Sequence, residues 1–149
     1  MSVSGATPLM IDTGVFYARA DSDDTHHETA MRLFERIRDG ELAYRPLYTT
    51  QAVLAELATL CLYKLGHGVA TRTLTAICEG ASITVLPVET STFEKATTRF
   101  ADYDDQEISF VDHTTAVLAN KHDIDHVFAF DDDFRTLGFT VLPADPSVR

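Results

Sequence analysis

Hydrophobic positions along this chain alternate between two rhythms. Short apolar runs at 8–12 (PLMID), 44–50 (YRPLYTT), 82–88 (SITVLPV), 126–130 (HVFAF) and 139–143 (FTVLP) predict strands. Between them, apolar residues recur every three or four positions, the period of a helix with one buried face. In DDTHHETAMRLFERIRDG that stripe is Ala30, Leu33, Phe34 and Ile37, with Asp24 or Thr25 placed to cap its start and Gly40 to close it. QAVLAELATLCLYKLG follows, with Thr50 as its cap. Residues 70–79 predict a further helix, TSTFEKATTRFADY one that starts at a Ser/Thr cap, and SFVDHTTAVLANKHD the last. Short strands alternating with helices predict an α/β fold: a parallel sheet covered on both faces, with right-handed crossovers. No repeat, linker or low-complexity tract interrupts the pattern, so residues 1–149 are expected to form one domain.

In open parallel sheets, ligands bind beyond the carboxyl ends of the strands. That rule singles out four acids. Asp12 ends the first predicted strand and Asp131 ends HVFAF, so parallel central strands would bring both to one sheet edge. The competing reading of Asp12 is a cap on a helix begun by DTGVFYA. Glu56 has Val53 and Leu60 as helical neighbours and borders the stripe of Val53, Leu57, Leu60 and Cys61. There a carboxylate is costly unless paired, or unless it reaches water at the edge. Asp112 lies three residues after Ser109, the spacing of a capping box. It shares a helix face with the small residues Ala116 and Ala119, so a cap and a metal role are compatible. Within the Asp131–Asp133 run, Asp131 is the strongest ligand candidate, Asp133 joins the site or caps the next turn, and Asp132 faces water. A set of hard oxygen donors suits Mg²⁺ or Mn²⁺ rather than zinc. One such ion activates water, and a second about 4 Å away stabilises the leaving oxygen in phosphodiester cleavage.

Composition changes the picture in one respect. Acids outnumber bases 23 to 12, for a net charge of -11. With abundant Asp and Thr and lysine only at Lys64, Lys95 and Lys121, the bias resembles that of a salt-adapted, haloarchaeal-like protein, the alternative being a merely acidic protein of an ordinary cytoplasm. Such charge ordinarily argues against a nucleic-acid partner. Molar salt shortens the screening length to about 3 Å, however, and divalent metal neutralises carboxylates where a phosphate approaches. Five basic residues, Arg19, Arg32, Arg36, Arg38 and Arg45, also fall in the first third of the chain. Cys61 and Cys78 stand apart, which points to neither zinc nor a disulfide framework. The start MSVSGATPLMID lacks the features of a signal peptide, and no apolar run is long enough to span a membrane, so a cytoplasmic location is expected.

These acids lie in segments that resemble the PIN domains, especially the VapC-type toxin ribonucleases, over nearly the whole chain. IDTGVFYA is similar to the family's first-strand motif and supplies Asp12; VLAELATL is similar to its second and supplies Glu56. ISFVDHTTAVLA resembles the Ser-Phe-x-Asp motif and supplies Asp112. VFAFDDDF resembles an apolar strand followed by Asp-x-Asp-Phe and supplies Asp131 with Asp133. HHETAMRLFERI resembles the start of the family's second helix. Gly14 is a departure, since many members carry Asn or Ser there, which removes a helper side chain near the metal but no main ligand. The resemblance implies a three-layer α/β/α sandwich and Mg²⁺- or Mn²⁺-dependent endoribonuclease activity. Asp12, Glu56, Asp112 and Asp131 would be the catalytic acids, with Asp12, Asp112 and Asp131 as main metal ligands and Glu56 and Asp133 direct or water-mediated. It also implies an RNA substrate, a homodimer and, for toxin members, a cognate antitoxin.

Thr13 and Ser109 are placed to orient Asp12 and Asp112, and Arg19 and Arg135 to contact phosphate. His26, His27, His113, His122 and His126 read as helix-surface or capping residues. Phe16, Phe110, Phe128, Phe130 and Phe134 read as core. Two alternatives share the fold: a non-catalytic RNA-binding or interaction module, and a housekeeping RNA-processing nuclease. A phosphoacceptor domain of receiver type would need a lysine after a late strand, and none follows HVFAF or FTVLP.

Overall fold

The structure, a computed structural model, describes residues 5–143. The first four residues, part of the stretch read for a leader, lie outside it. Strand β1 (Thr7–Ile11) leads directly into helix α1 (Thr13–Ala20), then α2 (His27–Arg38). Next come β2 (Tyr44–Thr50), α3 (Gln51–Leu65), α4 (His67–Glu79), β3 (Ile83–Leu86) and α5 (Thr90–Asp102). The chain closes with α6 (Phe110–Lys121), β4 (His126–Phe128), a single turn α7 (Asp133–Thr136) and β5 (Thr140–Leu142). All pairings are parallel, in the order β3-β2-β1-β4-β5. The β1–β2 register slips between Thr7 and Leu9, opposite the segment holding Pro46, which has no amide to give the ladder.

Side-chain alternation along β1 assigns the layers. Leu9 and Ile11 enter one core with Val15, Phe16, Leu33, Val53, Leu57 and Phe128, under α1 to α4. Met10 enters the other with Ala116, Leu118, Ala119, Val127 and Phe134, under α6 and α7. This is a three-layer α/β/α sandwich with β1 at its centre. Because the chain adds β2 and β3 on one side of β1 and then returns to add β4 and β5 on the other, strand order reverses between β1 and β4. That is where open parallel sheets form a crevice at their carboxyl edge.

Local chemistry explains most boundaries. Thr50 caps α3, its hydroxyl accepting from the Val53 amide at 3.0 Å. Asp24 acts one step ahead of α2, its carboxylate accepting from the His26 amide at 2.8 Å, so the helix begins at His27 rather than directly after Asp24 or Thr25. Gly40, at φ 82°, closes that segment.

Three expectations need correction. The start of α5 carries no side-chain cap, because Glu89 rather than a Ser or Thr occupies the cap position. HVFAF is a strand for only three residues: β5 is equally short, and after the Ala129 amide donates to the Leu142 carbonyl there is no further partner for the ladder. Asp131 therefore does not end a strand but sits in the bend between β4 and α7. His113, finally, is neither a surface nor a capping residue. It is fully buried in α6, which has eight consecutive buried residues because the sheet covers one side and α5 the other. Among the described residues, no helix is long and apolar enough to cross a membrane.

Candidate metal centre

The ends of β1 and β4 are tied together where the crevice opens, the Asp12 amide donating to the Phe128 carbonyl at 3.0 Å. The Thr49 hydroxyl of β2 donates to the Ile11 carbonyl at 2.9 Å and fixes the other side of the same turn. Asp12 occupies the cap position of α1 in extended conformation, yet its side chain makes no cap hydrogen bond. It is buried, with 4% of its surface exposed, and its Oδ1 has no hydrogen-bond partner among the described residues. The Thr13 and Gly14 amides act on this carboxylate but leave Oδ1 unaccounted for, so a role at the helix start alone does not explain it.

Asp112 reaches the edge from α6. Ser109 caps that helix by accepting from the Asp112 amide at 3.1 Å, which sets the first turn and aims the Asp112 side chain. Asp131 and Asp133 arrive from the bend after β4, where Asp131 Oδ1 accepts from the Asp133 amide at 3.1 Å. Carboxylate oxygens of Asp112, Asp131 and Asp133 all lie within 4.8 Å of one another. Asp12 and Glu56 stand outside that triangle but close enough for their charges to act on it. Glu56 is half-buried on the second turn of α3, and its field reaches both Asp12 and Asp131.

Burial and mutual repulsion raise the affinity of these acids for protons. Asp12 is pushed up from 3.8 to about 7, first by desolvation and then by the charges of Asp131 and Glu56, against the nearby amides of Thr13 and Gly14. Asp112 is pushed up to about 8 by desolvation and then by Asp12, Asp131 and Asp133, with the Ser109 hydroxyl opposing. Partial desolvation raises Asp131 as well, with Asp133, Asp132 and Glu56 adding to it and the Asp133 amide opposing. A cluster that resists its own ionisation, made only of oxygen donors and containing an orphaned buried carboxylate oxygen, fits a hard divalent cation.

The remaining residues read from sequence divide clearly. Asp132 is exposed and paired with Arg135 at 2.6 Å; Arg135 also donates to the Pro143 carbonyl at 3.1 Å. Arg19 lies over the Phe34 ring at 4.9 Å, at the far end of α1. Thr13 is buried, but its hydroxyl bonds to nothing described and so does not hold Asp12. Gly14 is exposed, and a Cβ there would meet nothing within 4 Å. His27 contacts the Ala18 carbonyl at 2.7 Å, and His126 the Tyr44 hydroxyl at 3.0 Å. His26 stacks on Phe130 and His122 on Tyr48. Phe16, Phe128 and Phe134 are core, while Phe110 and Phe130 are half-buried. Asp133, read as joining the site or capping the next turn, belongs to the tightest group. The signal was the two-residue spacing from Asp131, which lets a bend return both side chains to one side.

The family model described as PIN domain matches residues 9–140. The chain is 32% identical over 133 residues to the 23S rRNA-specific endonuclease VapC20 of Mycobacterium tuberculosis, covering 88% of this chain and 95% of that protein. The crystal structure of Mycobacterium tuberculosis VapC20, described as a sarcin-ricin loop cleaving toxin, superposes with a TM-score of 0.79 at 30% identity. It covers 89% of this chain and 96% of its own. VapBC2 from Rickettsia felis, solved on a promoter DNA fragment, shares the fold at a TM-score of 0.66 and 12% identity, covering 91% and 97% of the two chains.

Proposed function

The chain belongs to the PIN-domain family as a VapC-type ribonuclease, and from that premise we propose that it hydrolyses structured RNA at the β1/β4 crevice with a divalent metal ion. The observation that carries this reading is the meeting of Asp112, Asp131 and Asp133 beside the orphaned oxygen of Asp12. In this reading Asp12, Glu56, Asp112 and Asp131 are the catalytic acids. Asp112, Asp131 and Asp133 would hold the cation, Asp12 would complete the set, and Glu56 would engage through water. Mg²⁺ is the proposed ion, with Mn²⁺ an equivalent hard donor acceptor. When bound, such a cation supplies charge neutralisation and water activation for phosphodiester hydrolysis. The chain's own residues set the geometry: Ser109 fixes Asp112 and the Asp133 amide fixes Asp131, while half-buried Glu56 would orient the attacking water and take its proton.

Similarity to VapC20 favours ribosomal RNA as the substrate class and a toxin role, with a cognate antitoxin as protein partner. A homodimer in a salt-rich cytoplasm accords with that family reading and with the net charge of -11. Arg19 and Arg135 are the proposed phosphate contacts, Arg135 once it exchanges Asp132 for RNA. The test is incubation of the purified protein with ribosomal RNA and Mg²⁺ or Mn²⁺, with EDTA and Asp112→Asn as controls. Cleavage that disappears in both controls supports the reading, whereas RNA bound but left intact under all metal conditions favours a non-catalytic binding module.

A further inference from the structure

A cleft of about 440 Å³ opens between α1, α4 and the start of β3, within the range that holds a small planar ligand. Phe16, Ala20, Ile77 and Ile83 form its apolar floor, and Arg19 and Arg72 stand at its rim. Its lining differs from those of two other clefts, in which acids and bases are mixed. A cleft along α2 sets Glu28, Glu35, Asp39 and Glu41 beside Arg32 and Arg36, and one between α5 and α6 sets Lys95, Arg99 and Lys121 beside Glu94. The α1/α4 cleft has no carboxylate in its lining. Among the described residues neither Arg19 nor Arg72 forms an ion pair, although acids outnumber bases 23 to 12. Asp21, the acid nearest to Arg19 in sequence, is taken up by the Tyr17 hydroxyl at 2.6 Å. Arg19 is also held in place over the Phe34 ring, which reduces the ordering cost of a contact.

Two uncompensated guanidinium groups above an apolar floor match the chemistry of a nucleotide: an anionic phosphate joined to a flat, largely apolar base. Helix α1 starts directly after Asp12 at the carboxyl edge and carries Arg19 about 10 Å further on, towards the edge where β3 begins, so an RNA strand must run along α1 to reach both sites. We propose that this cleft is a subsite for one unpaired nucleotide of the RNA, its base on the partly exposed apolar surface of Ala20, Ile77 and Ile83 and its flanking phosphates on Arg19 and Arg72. This deepens the ribonuclease reading and rests on it for the identity of the ligand. An unpaired base can enter the cleft and a base held in a duplex is unable to, so the subsite selects loops over stems.

Binding separates the subsite from the chemistry. Fluorescence anisotropy in EDTA would compare a labelled stem–loop RNA with a fully paired duplex, for the native protein and for Arg19→Gln/Arg72→Gln, across a salt series. Both arginines are exposed, so the fold is expected to survive, with circular dichroism as the check. Stem–loop affinity should fall by about tenfold per arginine. The slope of log affinity against log salt should flatten by about 1.4, the value for two phosphate contacts on a single strand. Arg19→Lys/Arg72→Lys should keep the slope while losing part of the affinity, a pattern that misfolding would not give. Unchanged affinity and slope in the Gln variant would overturn the subsite, as would equal losses for stem–loop and duplex, or failure of the native protein to bind the stem–loop. Gln substitutions that weaken only a protein inhibitor would assign the cleft to that partner and also overturn it. Metal-dependent cleavage by the native protein is scored separately: its absence alongside the expected binding pattern would refute the nuclease reading and leave the subsite standing.

Discussion

Asp12 and Asp112 reach the same crevice from different layers, one from the end of the central strand and the other from the first turn of α6. After burial itself, the charge of Asp12 is the largest influence lifting the Asp112 carboxyl to about 8. The site is therefore frustrated when no cation is bound, and stability, metal binding and pH should be linked.

The sign of that linkage follows from the shifts. Both carboxyls hold a proton more tightly in the folded chain than at the ordinary value of 3.8. Between that value and about 7 to 8, the native state carries more bound protons than the unfolded state, so stability falls as pH rises. The EDTA-treated protein should be markedly less stable at pH 8 than at pH 5, read as a falling Tm. Saturating Mn²⁺ should reverse the loss at pH 8 by binding only the native state. A Tm that is flat with pH, or that rises, would show that these carboxyls are not repelling one another.

Asp112→Asn should separate stability from activity. It removes one of the mutually repelling charges, so the metal-free protein should be more stable at pH 8 by about 1 kcal/mol. RNA cleavage should fall by about 10²-fold or more, since the substitution leaves a weaker, neutral ligand. Calorimetry with Mn²⁺ should show the same loss in affinity. Reduced activity with unaltered Mn²⁺ binding would move Asp112 from ligand to proton transfer.

Neighbouring acids of the DDD run should behave unequally. Asp133→Asn removes an oxygen from the 4.8 Å group and should weaken Mn²⁺ binding by about tenfold. Asp132→Asn breaks only an exposed pair with Arg135, so stability should stay within about 0.5 kcal/mol. Equal effects on Mn²⁺ affinity would mean that the bend after β4 presents its carboxylates differently.

Ser109→Ala should cost about 1 kcal/mol through loss of the α6 cap. The same change leaves Asp112 less fixed, so cleavage should drop more than stability alone explains. Glutamine cannot restore that cap, but Ser109→Thr should rescue both readouts, because Thr supplies the same hydroxyl.

Much of this architecture was legible because strand runs and helix stripes carry their own periods. β2 spans the expected 44–50, and Thr50 and Ser109 cap as read. The bend holding Asp131 was less legible, since the end of β4 depends on when β5 stops offering partners, a long-range event. Asp12 was ambiguous for a different reason: a strand-terminal acid before a helix looks like a cap, and only the unpartnered Oδ1 separates the two. Arg19 and Arg72 lie far apart in sequence, and only the packing of α1 and α4 against the same helix, α3, brings them to one cleft. The burial of His113 had a local signal, the uncharged run from Thr114 to Asn120, which leaves α6 no charged face to turn to water.

His113 supplies the last test, because it sits in the core without accounting for its polarity. Neither ring nitrogen has a partner among the described residues, the ring packs against Tyr103 at 5.0 Å and Phe100 at 6.1 Å, and burial together with Arg99 lowers its pKa. A neutral imidazole in that position forfeits hydrogen bonds to water and gains none in return, a cost of about 1–3 kcal/mol. Leucine has similar volume and no polar atom, so His113→Leu should raise Tm while leaving Mn²⁺ affinity at Asp112 unaltered. His113→Ala should lower stability by about 3 kcal/mol, since it opens a cavity between α5 and α6. If His113→Leu instead destabilises the protein as much as His113→Ala does, the ring nitrogens are satisfied by a partner such as buried water. The residue would then position the first turn of α6, and a parallel loss of Mn²⁺ affinity would identify that role.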